Sequence, residues 1–182
     1  MALAPSEIKQ HAAGKHYIQQ LKGDAATVES VQKGMRECSW VHLACHGVQN
    51  VSNPTESALL VASGQRLTLS SIISLSIPHA DLVFLSACQT ATGDKELQEE
   101  SVHLAAGMLS AGYQSVVATM WSIMDNDAPQ VASDFYEHLF KSSPPDSAQS
   151  AEALHHAVRK LQEKSGGKKP FMHWVPYIHI GI

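Results

Sequence analysis

Cysteine is scarce in this 182-residue chain, and what there is excludes a disulfide framework. Cys38, Cys45 and Cys88 are odd in number and no pair has C-x-x-C spacing. Reduced thiols in the cytoplasm are the expectation that follows. Charge is equally thin: charged residues make up 16% of the chain, with a formal net charge of −4. That balance gives no reason to expect nucleic acid or an anionic membrane as partner. The short basic run "GGKKP" at 166–170 is flanked by glycine and reads as a solvated loop. No apolar run reaches the ~20 residues that a membrane-spanning helix needs. The opening "MALAPSEIKQ" lacks the basic start and apolar stretch of a secretory signal. What is left, at 44% hydrophobic, is the composition of a globular protein, and the length suits one domain with a sizeable core.

What the chain does have is an alternation of short apolar strands and longer helical stretches. "KHYIQQL" (15–21) is a weak strand candidate. Residues 24–38 carry apolar residues at helical spacing (Ala25, Val28, Val31, Met35), with Asp24 as candidate N-cap. A strand is predicted at 39–45, a hairpin at 57–69 and a short helix at 69–77 stopped by Pro78. "ADLVFLSA" (80–87) is continuously apolar, as a strand buried on both faces of a parallel sheet should be. Then follow a helix at 99–112 closed by Gly112, a strand at 113–121, and helices at 125–141 and 147–164. A last strand at 174–182 belongs at an edge, because Pro176 removes a ladder donor. This order predicts a three-layer α/β domain, a mostly parallel sheet with helices on both faces. Ligand sites in such sheets lie beyond the carboxyl ends of the strands.

Two of these strands end in reactive side chains. "VHLACHG" (41–47) delivers His46 and Gly47, and "DLVFLSACQT" (81–90) delivers Cys88. Cysteine is nucleophilic as the thiolate, and a partnering imidazole is the usual means of forming it at neutral pH. The small residues around Cys88, and Gly47 after His46, would let a carbonyl approach the backbone. The amides of Gly47 and Cys88 could then hold an oxyanion. Singly, each residue has a commoner structural role: a cysteine in "LSAC" as a small buried hydrophobe, a histidine before glycine as a turn cap. Their occurrence at equivalent ends of two core strands is what points to a dyad.

"WVHLACHG", "LVFLSACQTATGD", "EESVHLAAGMLSAGYQSVVATMWSIMDNDA" and the closing "WVPYIHIG" together resemble the CHAT domain. CHAT domains are caspase- and separase-like cysteine peptidase domains often found C-terminal to tetratricopeptide repeats. The resemblance runs from "LKGDAAT" at 21 to Gly181. It implies a caspase-hemoglobinase fold, with His46 as general base and Cys88 as nucleophile. It also implies that Ser86 floors the primary specificity pocket and that the 119–125 segment pairs with substrate backbone. Trp121 and Ser122 become groove candidates and Asp125 a candidate polar contact. Core packing is an equal alternative for Trp121, and an N-cap role for Asp125.

Related domains carry a first strand and helix inside the sheet that residues 1–14 do not supply. That stretch reads as an extension or fragment edge, and 15–182 as the domain. The implied partners are a protein or peptide substrate and an upstream repeat region, with no cofactor. His42, Cys45 and His46 crowd one strand, but alternation splits them between two faces, so no metal is expected there. His42 reads as a packed sheet residue and His156, beside His155, as exposed. The acidic residues between Asp94 and Glu100 form either a solvated loop or a bias toward basic substrates. Two other functions fit the same residues: a signalling or scaffold domain with little turnover, and a redox-sensing Cys88.

Overall fold

The computed structural model describes residues 18–182 apart from 49, 51, 87, 90–100, 122, 125 and 165–169, with backbone alone for Cys88, Gln89, Ser101 and Val102. Its strands are β1 (Trp40–Leu43), β2 (His46–Val48), β3 (Ala58–Leu60), β4 (Arg66–Thr68), β5 (Leu82–Leu85), β6 (Cys88–Gln89), β7 (Ser115–Thr119) and β8 (Tyr177–Gly181). The helices are α1 (Val28–Glu37), α2 (Leu69–Ile73), α3 (Ser101–Ser110), α4 (Ala128–Leu139) and α5 (Ser150–Lys164). The strands form two four-stranded sheets, β1-β5-β7-β8 and β4-β3-β2-β6. In the first, β1, β5 and β7 run parallel and β8 closes the edge antiparallel.

Side-chain alternation along the central strands builds a core on each face. Val83, Leu85, Val116 and Ala118 pack with α1, α2 and α3 through Val31, Met35, Leu69, Ile72, Leu104 and Met108. Leu82, Phe84 and Val117 pack with α4 and α5 through Val131, Phe135, Leu139, Leu154 and Leu161. Every residue of β5 and β7 is buried, which is why 80–87 reads as an unbroken apolar run. Each Val, Leu or Phe among them stabilises the fold by about 1.5–3 kcal/mol through burial. The expected three layers are present.

Several local expectations shift. Thr27, not Asp24, caps α1: it has extended backbone angles and its hydroxyl accepts from the Ser30 amide at 3.1 Å. Asp24 sits in a single 3-10 turn begun by Gly23 at φ 53°, so the chain turns once before the helix starts. Residues 18–22 form no strand. Instead Ile18 packs on the α4/α5 core and Leu21 on the opposite one, so the segment crosses the outer edge of β1 by side chains rather than by backbone pairing. Among the described residues, no strand precedes β1. The 57–69 hairpin is present, closed by the Val61 amide on the Gln65 carbonyl at 2.9 Å. It joins the second sheet through β2.

β8 has its edge position, with Pro176 just before it. Gly181 is required there: at φ 132° a Cβ would lie 2.0 Å from the Gln114 carbonyl oxygen. Gly112, at φ 105°, turns the chain from α3 into β7. Among the described residues, no helix is long and apolar enough to cross a membrane.

Asp81, at the foot of β5, ties three elements together. Its carboxylate accepts from the Trp40 indole N–H and from the Ser147 hydroxyl, each at 2.6 Å. Asp81→Ala strands both donors, and loss of two charge-assisted bonds should lower the unfolding free energy by about 2–4 kcal/mol. Urea denaturation of the variant beside Ser147→Ala, which removes one of the two bonds, measures this; equal effects would show that the Trp40 bond contributes nothing.

Candidate active site

β1 and β5 each break after their last core residue, at Ala44–Cys45 and at Ser86, and resume one short step later as β2 and β6. His46 and Cys88 therefore open new strands, where the sequence pattern had put them just past strand ends. Pairing survives the break. Trp40 faces Leu82 and Leu43 faces Leu85, the Ser86 amide donates to the Leu43 carbonyl at 3.0 Å, and His46 then faces Cys88. The offset is 42 positions throughout. Register-matched residues on parallel strands lie about 4.8 Å apart along the hydrogen-bonding direction and share a face. The histidine and the cysteine are thus nearest neighbours across the β2/β6 pair.

His46 is exposed and its register partner on the far side is Leu60. Gly47 is buried between Leu59 and Gln89. Ser86 is half-buried at the break, two positions before Cys88. Ser122, Asp125 and the acidic stretch from Asp94 lie outside the described residues. Trp121 is half-buried, and its indole N–H is buried without an acceptor among the described residues.

The segment leading from β7 past Trp121 is fastened at both ends. The Met120 amide donates to the Pro176 carbonyl at 2.8 Å. The buried Asp127 carboxylate meets His173 Nδ1 at 2.6 Å. Asp127 holds the N-cap position of α4 but spends its carboxylate on His173 rather than on a helix amide. Sequence reasoning missed this pair, because 46 positions separate the partners and neither stands in a motif.

The other reactive side chains have structural settings. Burial pushes the Cys45 thiol up to about 11. Burial, then the Glu37 carboxylate, raises Cys38. Both remain protonated thiols at neutral pH and poor nucleophiles. His42 stacks on Phe84 with centroids 4.8 Å apart and an interplanar angle of 6°, and its Nδ1 lies 3.3 Å from the Tyr136 hydroxyl. Burial lowers its pKa to about 4, the packed sheet histidine expected. A cavity of about 520 Å³ opens beside the outer edge of β1, lined by residues that include Leu21, Met35, Val41, Tyr136 and Phe140. Neither His46 nor Trp121 lines it.

The His42 environment sets a pH dependence. An unfolded chain protonates this imidazole below its ordinary 6.5, whereas the folded chain resists down to about 4. Its contribution is complete above pH 6.5 and is lost as pH falls toward 4. Between pH 7.5 and 4.5 the urea unfolding free energy should drop by about 2–3 kcal/mol on this account, and His42→Leu should flatten the slope by that amount; an unchanged slope would show that the ring is protonated in the folded state.

Comparison with known proteins bears on this site. The sequence model of the CHAT domain matches residues 3–182. No curated protein matches the chain.

Proposed function

The chain belongs to the CHAT domain family, which is related to caspase-like cysteine peptidases, and on that premise we propose that it hydrolyses peptide bonds through a dyad of Cys88 and His46. The observation that carries this reading is the parallel register His46↔Cys88. His46 takes the thiol proton, and the thiolate attacks the scissile carbonyl. The amides of Gly47 and Cys88 stabilise the resulting oxyanion, at about 3–4 kcal/mol per donor. His46 then protonates the leaving amine and activates the water that releases the acyl-enzyme.

Substrate lies as an extended strand along the segment after β7. Ser86 floors the pocket for the residue beside the scissile bond, Trp121 and Ser122 line the groove, and Asp125 makes a polar contact. Two features support this placement: the Trp121 N–H lacks an acceptor among the described residues, and the segment around it is tethered at Met120 and Asp127. No cofactor takes part in these steps.

A peptide carrying a thiol-reactive electrophile tests the assignment on the full chain. Labelling should occur at Cys88 and leave Cys38 and Cys45 unmodified, vanish in Cys88→Ala, and slow by at least about 100-fold in His46→Ala. Labelling that persists in Cys88→Ala would refute the proposal. A folded chain that reacts with no such peptide would assign the domain to the non-catalytic, partner-binding alternative.

A further inference from the structure

A group of two histidines and a glutamate lies in the helical layer formed by α4 and α5. His138 stands in the last turn of α4; Glu152 and His156 stand one turn apart on α5. One ligand atom from each falls within 4.8 Å of the other two. Glu152 Oε1 is 3.5 Å from His156 Nε2 and 3.9 Å from His138 Nε2. The two imidazoles stack with centroids 4.7 Å apart at 24°.

These separations are close to what a metal would impose. Donors about 2.1 Å from a tetrahedral zinc ion lie about 3.4 Å from one another; the two carboxylate contacts are near that spacing, and the two rings, now stacked, would turn about their side-chain torsions so that their in-plane lone pairs converge. The scaffold is rigid where it needs to be. The 152/156 pair is fixed by helical periodicity, and α4 and α5 share a core through Leu139, Phe135, Leu154 and Leu161.

We propose that His138, Glu152 and His156 form a binding site for a divalent first-row transition metal, with zinc as the probe ion and water in the fourth position. Two imidazoles and one carboxylate favour such an ion over magnesium or calcium, which prefer oxygen ligands throughout. The bound ion would clamp the end of α4 to the start of α5 and so stiffen the layer that covers Phe84 and Leu82. It lies outside the peptidase chemistry and does not depend on it. Lys160, the cation on the neighbouring turn, is itself held by Asp134 at 3.0 Å and Glu137 at 2.8 Å.

Zinc titration of the untagged full chain against a chromophoric chelator tests the site, in a Cys88→Ala background so that the thiol cannot compete. One zinc ion should bind per chain, and a 100-fold excess over Kd should raise Tm by roughly 5 °C. His138→Gln and His156→Gln should each weaken binding more than 10-fold, while His155→Gln, one position away, should not. Cobalt substitution should give tetrahedral ligand-field bands that both variants lose. Glu152 and His156 are exposed and His138 is half-buried, so circular dichroism of each variant checks that folding is unchanged. Failure of the folded protein to bind zinc at micromolar concentration, or equal binding by the His138→Gln/His156→Gln double variant, would overturn the proposal.

Discussion

One pairing offset of 42 positions runs through two strand pairs, from Trp40↔Leu82 to His46↔Cys88, and the proposed dyad depends on that offset surviving the break between them. A slip of one residue in β1/β5 would carry Val83 and Leu85 to the α4/α5 face and Leu82 and Phe84 to the other. Both faces of β5 are fully buried, so both cores would be spoiled at once. The apolar packing therefore specifies the register, and the register aligns the histidine with the cysteine. The carboxylate of Asp81, joining Trp40 and Ser147, fixes the same register at the opposite end of the strands.

The break itself has a use. A single straight sheet would have left His46 and Cys88 on the edge of an open rim. Instead, small residues at Ala44 and Ser86 let the paired ribbon leave the central sheet, and the β3/β4 hairpin supplies the neighbour that β2 then needs. His46 is left exposed on a strand held from both sides, by Leu60 and by Cys88. The segment that carries Trp121 is secured by different means, the Met120–Pro176 backbone bond and the Asp127–His173 contact. Residues 173–176, just before the last strand, thus brace the segment carrying Trp121.

The α4/α5 layer shows how one packing solution creates incidental chemistry. Burial of Val131, Phe135 and Leu139 against Ala153, Leu154, Ala157 and Leu161 brings the outward faces of the two helices into reach. His138, Glu152 and His156 meet there, while Lys160 bridges Asp134 and Glu137 further along. At the outer edge of β1, Ile18 packs on this same core and Leu21 on the one across the sheet.

The three-layer α/β plan, the hairpin and the edge position of β8 were all legible in the chain itself, since each is written in local periodicity or turn chemistry. Strand period and helix period differ, proline cannot donate, and a polar residue closing an apolar run is visible without coordinates. The capping of α1 by Thr27, the division into two sheets, the Asp127–His173 contact and the histidine–carboxylate group were not. Each depends on which partner, from 3 to 46 positions away, wins a hydrogen bond or a packing site. Local sequence ranks the candidates for such contacts, but only the assembled cores determine the distances at which they compete.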